Sequence, residues 1–300
     1  MKVLVTGGCG FIGSHIVDAL VEDKEIEEVV VIDDLSAQEN EKFYFNDKSS
    51  YHKLDISKED CQHLFENVTY VFHLAARSRI QPTITSPGSC FEVNVVGTQR
   101  VLEWSRNAGV KRVVYSGTSS LYGHQNKIPF EPNMPADCLN PYSMSKWMGE
   151  QVCKLYSQVY DQPSAVLRYF NVYGPREPVK GTYAPVIGLF KRQHHSGEPM
   201  SVVGDGEQKR DFTYIDDVVS ANILTMKKTD SISSFEIYNV GTGRNYSINE
   251  VCDLISPGCS TQSIPERPAE VRETLADIEK TKLDLGWKPM FTLEEKILSY

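Results

Sequence analysis

The segment Val3 to His15, VLVTGGCGFIGSH, constrains this chain more than any other. A short β-branched run gives way to Gly7, Gly10 and Gly13 in the spacing G-x-x-G-x-x-G, and Phe11, Ile12, Ile16, Val17 and Leu20 then recur at helical spacing. Apolar on both faces, the run reads as a strand buried in a parallel sheet. Glycines at a strand-to-helix turn let the backbone approach a pyrophosphate, whose charge then sits at the positive end of the helix. A dinucleotide is the expected ligand.

The next apolar run, Val29 to Ile32, ends in Asp33, twenty residues after Gly13. That is where a dinucleotide fold places the carboxylate for the adenosine ribose hydroxyls. Asp34 follows, and no arginine is adjacent in sequence. Two acidic groups repel a 2′-phosphate, so NAD is expected rather than NADP. The plainer reading makes both residues ordinary turn formers at a strand end.

Strand and helix patterns alternate through the first half of the chain, the signature of parallel βαβ units. Strands are expected over 2–6, 29–33, 51–54, 70–73, 110–116 and 165–170, and helices over 10–22, 58–67, 87–107 and 141–160. The fold class is therefore α/β, a doubly wound parallel Rossmann sheet. Residues 1–171 form the expected NAD-binding domain and 172–300 a smaller substrate-binding lobe, with parts of 212–240 returning to the first. Both long helices carry more apolar residues than one buried stripe requires: Phe91, Val95, Val101 and Trp104 on one, Trp147, Met148, Val152 and Leu155 on the other. The surplus is expected to face a partner subunit.

Composition closes off other classes. The net charge of −9, from 31 basic and 40 acidic side chains, argues against a general nucleic-acid or membrane surface. An anionic substrate then needs local arginines. The seven cysteines include no C-x-x-C pair and are odd in number, so neither a disulfide framework nor a metal site is expected, and the thiols should be buried and reduced. No apolar run reaches membrane-spanning length, and a strand starting at Lys2 leaves no room for a signal peptide. A cytoplasmic protein is expected.

Chemistry concentrates at Tyr142-Ser-Met-Ser-Lys146, behind Asn140 and Pro141. A spacing of four puts phenol and ammonium on one helical face. Free tyrosine, with a pKa of about 10, is a poor base at neutral pH; a fixed cation and a positively charged nicotinamide nearby both favour phenolate. Tyr142 is then a candidate general base, against the alternative of a surface i, i+4 pair. The strand over 110–116 runs into the hydroxyl-rich stretch Ser116-Gly-Thr118-Ser-Ser-Leu-Tyr122-Gly123, at the sheet end where open α/β folds bind ligands. Thr118 is placed to relay a proton between Tyr142 and a substrate hydroxyl; the alternative is a serine-rich loop that only caps the sheet.

With these pieces in order, the chain resembles the extended short-chain dehydrogenase/reductase superfamily, and within it the nucleotide-sugar epimerase and dehydratase branch. The motifs run nearly end to end: TGGCGFIGSH, VFHLAA (71–76), NVVGT (94–98), SGTSSLYG, NPYSMSK, RYFNVYGPR (168–176), GDGEQKRDFTYIDD (204–217) and YNVGTG (238–243). The resemblance implies a catalytic trio of Thr118, Tyr142 and Lys146. It implies cofactor contacts at Gly7, Gly10, Phe11, Ile12, Gly13, Asp33, Asp34, Asp55, Ile56, Leu74, Ala75, Ala76, Asn94, Tyr142, Lys146 and Tyr169. Substrate contacts fall on Thr118, Ser119, Ser120, Tyr142, Asn171, Arg210, Arg267 and Thr274, the guanidinium groups suiting a diphosphate. Ala269 and Glu270 depart from the usual Gly-Asp of the family.

The same resemblance narrows the reaction. Dehydratases of this branch carry Asp-Glu where this chain has Ser119-Ser120, and the decarboxylases carry glutamate at the position of Ser120. What remains is a UDP-hexose 4-epimerase working through a transient 4-keto sugar, with NAD as cofactor. Thr274 stands where a bulky tyrosine excludes 2-acetamido sugars, so UDP-N-acetylglucosamine fits the expectation alongside UDP-glucose. A 4-keto-sugar reductase and a non-catalytic nucleotide sensor are the alternatives. A homodimer through the two long helices is also implied.

Overall fold

The computed structural model describes residues 1–37, 42–124, 127–179, 184–266 and 271–300. Seven parallel strands form the central sheet: β1 (Lys2–Thr6), β2 (Glu28–Asp33), β3 (Ser50–Lys53), β4 (Val68–His73), β5 (Arg112–Thr118), β6 (Ser164–Tyr169) and β7 (Phe235–Val240). Their spatial order is β7-β6-β5-β4-β1-β2-β3. Chain order reverses between β1 and β4, so the crevice at that switch point is where a doubly wound sheet takes its ligand.

Alternation along each strand divides the core between the sheet's two faces. Val3 and Val5 point into one layer with Ile16, Val17 and Leu20 of helix α1 (Phe11–Glu22). Leu4, between them, points into the other, with Val30, Ile32, Val71, Val101 and Trp104. A third cluster, including Ile187, Phe190, Phe212 and Val251, forms the core of the lobe beyond the sheet. No helix among the described residues is long and apolar enough to cross a membrane.

Several local expectations need correction. The segment 58–67 is not an α-helix but holds only a short 3-10 turn, Gln62–Phe65. Asp55 folds back onto Ser57, and Asn67 takes a left-handed φ of 60°, so the chain turns at both ends. Helix α2, over 87–108, is continuous but carries a π-helical turn at Glu92–Gly97 and ends at Gly109, whose φ is 71°. Val101 and Trp104 do not face outward; they are buried against β4 and β5, and Val152 and Trp147 also pack on the core. The apolar side chains that do face solvent on α2 and on helix α3 (Pro141–Tyr160) are Val96, Met144, Met148, Leu155, Val159 and Tyr160. All seven cysteines are free, but Cys138 and Cys259 are only half-buried.

Candidate active site

The carboxyl ends of the strands open into a crevice of about 560 Å³ between the sheet and the lobe. Its floor is the glycine turn. Gly7 has a φ of +73°, and a Cβ there would stand 2.7 Å from the Ala75 nitrogen; a Cβ on Gly13 would stand 2.1 Å from the Gly7 oxygen. A Cβ on Gly10 would meet nothing nearer than 3.5 Å, so that side of the turn is open to the crevice. Helix α1 begins there without a side-chain cap, which leaves its first N–H groups for an anion. These features fit a dinucleotide pyrophosphate.

Asp33 sits at the end of β2 with Oδ2 accepting from the Cys9 N–H at 2.9 Å and Oδ1 from the Leu35 N–H at 2.9 Å. Burial pushes its carboxyl up while these two N–H groups hold it back. Asp34 does have a basic neighbour: Arg77 Nη2 lies 3.2 Å from its Oδ2. The sequence offered no arginine nearby because the contact spans forty-three residues and depends on the strand order. Asp55 lines the same wall beside Ile56, although its Oδ1 is taken by the Ser57 N–H and hydroxyl. Leu74, Ala75, Ala76, Phe11, Ile12 and Tyr169 also line the crevice.

Asn94 does not. It lies buried in the π turn, its Nδ2 donating to the Arg77 carbonyl (3.0 Å) and the Ser145 hydroxyl (2.9 Å) while Oδ1 accepts from the Arg77 N–H (2.7 Å). Its work is to join the Arg77 turn to α3.

Thr118, Tyr142 and Lys146 come together on the crevice wall. β5 runs two residues further than expected, so Thr118 is its last residue, with Oγ1 accepting from the Ser120 N–H at 3.2 Å. Helix α3 starts where expected, with Pro141 in its first turn and a reciprocal Asn140–Ser143 cap, the arrangement that best satisfies free N-terminal amides. Its first turn places Tyr142 on the crevice wall alongside Thr118. Burial raises the phenol above its ordinary value, the neighbouring Thr118 hydroxyl and the charge of Arg79 opposing it. The Lys146 ammonium lies 4.1 Å above the Tyr115 ring, and burial lowers it to about 8, with Glu150 one turn on resisting. Burial, not the expected lowering by a neighbouring cation, is the largest influence on the phenol.

Ser119 and Ser120, in the turn after β5, and Asn171, Arg210 and Thr274 also line the crevice. Asn171, at a left-handed φ of 25°, donates to the Asp211 carbonyl (2.8 Å) and the Thr274 hydroxyl (3.3 Å). Arg210 donates to the Lys209 carbonyl at 2.9 Å. Arg267, Ala269 and Glu270 lie outside the described residues. Sequence reasoning missed Ser36, Arg77, Arg79 and Glu177, which line the crevice too. Glu177 is pushed up to about 7 by burial, the Tyr300 hydroxyl donating to it at 2.6 Å. No short motif marks these four; tertiary folding alone brings them in.

A glycine turn on a doubly wound sheet, with a Thr-Tyr-Lys cluster beside it and a second lobe across the crevice, defines a dinucleotide-dependent enzyme. Residues 3–241 match the NAD dependent epimerase/dehydratase family, and the chain belongs to that family. It is 37% identical over 302 residues to a putative UDP-glucose 4-epimerase of Methanocaldococcus jannaschii, covering 98% of this chain and 95% of that one. Among solved structures it is similar to a UDP-N-acetylglucosamine 4-epimerase of Methanobrevibacter ruminantium in complex with UDP-N-acetylmuramic acid, with a TM-score of 0.90, 31% identity and coverage of 99% and 95%. It is similar also to the Thermus thermophilus UDP-glucose 4-epimerase in complex with NAD, with a TM-score of 0.88, 31% identity and coverage of 99% and 96%.

Proposed function

We propose that this NAD-dependent enzyme interconverts UDP-hexoses epimeric at C4, with UDP-glucose and UDP-N-acetylglucosamine as the substrates. The observation that carries the reading is the meeting of Thr118, Tyr142 and Lys146 on one wall of a crevice whose floor fits a dinucleotide. When bound, NAD supplies the redox chemistry at the sugar's C4. Tyr142 takes the proton of the C4 hydroxyl, helped by the Thr118 hydroxyl on the same wall, and later returns a proton to the same oxygen. Lys146 supplies positive charge beneath the site. Arg210, with Arg267 by family resemblance, anchors the diphosphate while the sugar turns over and presents its other face.

Ser119 and Ser120 offer hydroxyls but no carboxyl beside the sugar, which supports epimerisation over water elimination. Thr274, small and already bonded to Asn171, leaves space for a 2-acetamido group. Residues 1–171 serve as the NAD-binding domain and 172–300 as the substrate lobe, with parts of 212–240 belonging to the first. We assign the exposed apolar faces of α2 and α3 to a homodimer seam, and the seven free thiols favour a cytoplasmic setting. Incubation with each UDP-sugar without added cofactor tests the reading. The 4-epimer is the expected product; a stoichiometric need for reduced nicotinamide, or binding without product, overturns it.

A further inference from the structure

The ends of β2 and β4 are held together by a contact that passes over β1. In the sheet, β1 lies between them, so two strand spacings of about 4.8 Å separate their ends. The glycine turn rises from β1 into that gap. Arg77, four residues past the end of β4, reaches across it: Nη2 meets Asp34 Oδ2 at 3.2 Å, and Nη1 donates to the Ser36 hydroxyl. All three residues line the crevice, and the paired side chains are about 30% exposed. The main chain of Arg77 is fixed at the same time, its N–H and carbonyl both bonded to the buried Asn94 side chain. A rigid base therefore carries a long side chain whose far end is held by a partly exposed ion pair with Asp34 and by the Ser36 hydroxyl.

We infer that the Arg77–Asp34–Ser36 bridge is a latch that retains the dinucleotide: it closes over the glycine turn, and the cofactor enters and leaves only when the Arg77 side chain swings away. The function of such a latch is plain for a reaction with no net redox change, in which the cofactor is regenerated in every cycle. The latch concerns the family's cofactor alone and stands whichever sugar is turned over.

Release of NAD from the purified holoenzyme is the test, read by chasing with an excess of a nicotinamide-modified analogue and following displaced NAD; it needs no substrate. Arg77→Met, which keeps the anchored main chain, should release NAD roughly tenfold faster, the scale of one half-buried ionic contact. A latch also slows entry, so the association rate should rise in the same variant. Asp34→Asn should accelerate release as well, and Arg77→Met/Asp34→Asn should add little beyond either single change. Raising the salt concentration should speed release from the parent but not from Arg77→Met. Release within twofold of the parent in both single variants overturns the latch. So does additivity of the two changes, or faster release with unchanged association, which marks Arg77 as an ordinary contact.

Discussion

One turn beyond Lys146, Glu150 forms a buried ion pair with Arg168, and its removal gives a sharp test of the electrostatic reasoning. Glu150 is fully buried and Arg168 is 3% exposed. The Arg168 Nε and Nη2 donate to the Glu150 carboxylate at 3.1, 3.3 and 2.8 Å, while Nη1 donates to the Tyr122 hydroxyl and the Pro132 carbonyl, each at 2.9 Å. Gly117, next to Thr118, makes room for the pair: a Cβ there would stand 3.0 Å from Glu150 Oε1 and 2.9 Å from Val166 Cγ1. Burial raises the Glu150 carboxyl and Arg168 opposes it, while the carboxylate keeps the guanidinium charged. Glu150→Gln preserves shape and leaves that guanidinium buried without a counter-charge. Breaking such a pair costs about 3–5 kcal/mol, a large share of the ~5–15 kcal/mol that holds a typical fold together. At roughly 2 °C per kcal/mol for a chain of this size, Tm should fall by about 6–10 °C. Glu150→Leu/Arg168→Met removes both charges, and Tyr122 keeps its bond to Asn239 Oδ1 at 2.7 Å; most of the lost stability should return. Differential scanning calorimetry of the NAD-loaded proteins reads both. A single variant within ~1 kcal/mol of the parent, or a double variant as unstable as the single one, refutes the argument from charge.

Other consequences are simpler. Tyr142→Phe should lower kcat at least ~100-fold with NAD still bound, and near-parental turnover contradicts the assignment. Gly13→Ala forces a Cβ to 2.1 Å from the Gly7 oxygen, so the folded protein should emerge from purification without dinucleotide, as its absorbance ratio will report. His73 bridges Thr6 and Thr98 at 2.7 and 2.9 Å and is lowered by burial to about 3. The unfolded chain takes up that proton near pH 6.5, so stability should fall as pH drops below that value, by about 1.4 kcal/mol per unit until near pH 3. His73→Gln should flatten this slope in acid denaturation curves, and an unchanged slope places the acid sensitivity elsewhere.

Local signals carried the reading as far as the first six strands, the glycine turn and the start of α3. Each of these is written in contiguous residues: a β-branched run, a G-x-x-G-x-x-G spacing, an Asn-Pro cap. The failures lie where tertiary context decides. Val101 and Trp104 read as surplus in sequence, but in the fold they join the core beneath the sheet, past a π turn at Glu92–Gly97 that no local spacing announces. Asn94 resembles a cofactor ligand by motif but is spent on the Arg77 main chain. The Arg77–Asp34 pair has no local signature at all, because only the placing of β1 between β2 and β4 makes them neighbours. The meeting of Thr118, Tyr142 and Lys146 on one wall was legible because a helical spacing of four and a strand end are both local facts; the electrostatic balance among them was not.

That balance has its own consequence. Burial raises the Tyr142 phenol above its ordinary value, while the Lys146 ammonium is held over the Tyr115 ring. Burial that penalises a lone phenolate also strengthens any later charge beside it, because the same low dielectric governs both. The base should therefore become active on loading with oxidised cofactor, whose charge falls within this crevice, rather than standing ready beforehand. Ultraviolet difference titration at the phenolate band, with Tyr142→Phe subtracted to remove the other tyrosines, measures this directly. In protein stripped of dinucleotide the Tyr142 phenol should titrate above the ordinary tyrosine value. Reloading with NAD⁺ should bring it down. A phenol already low in the stripped protein, or one that Lys146→Met shifts as far as removal of NAD⁺ does, would show that the ammonium and not the cofactor sets the base.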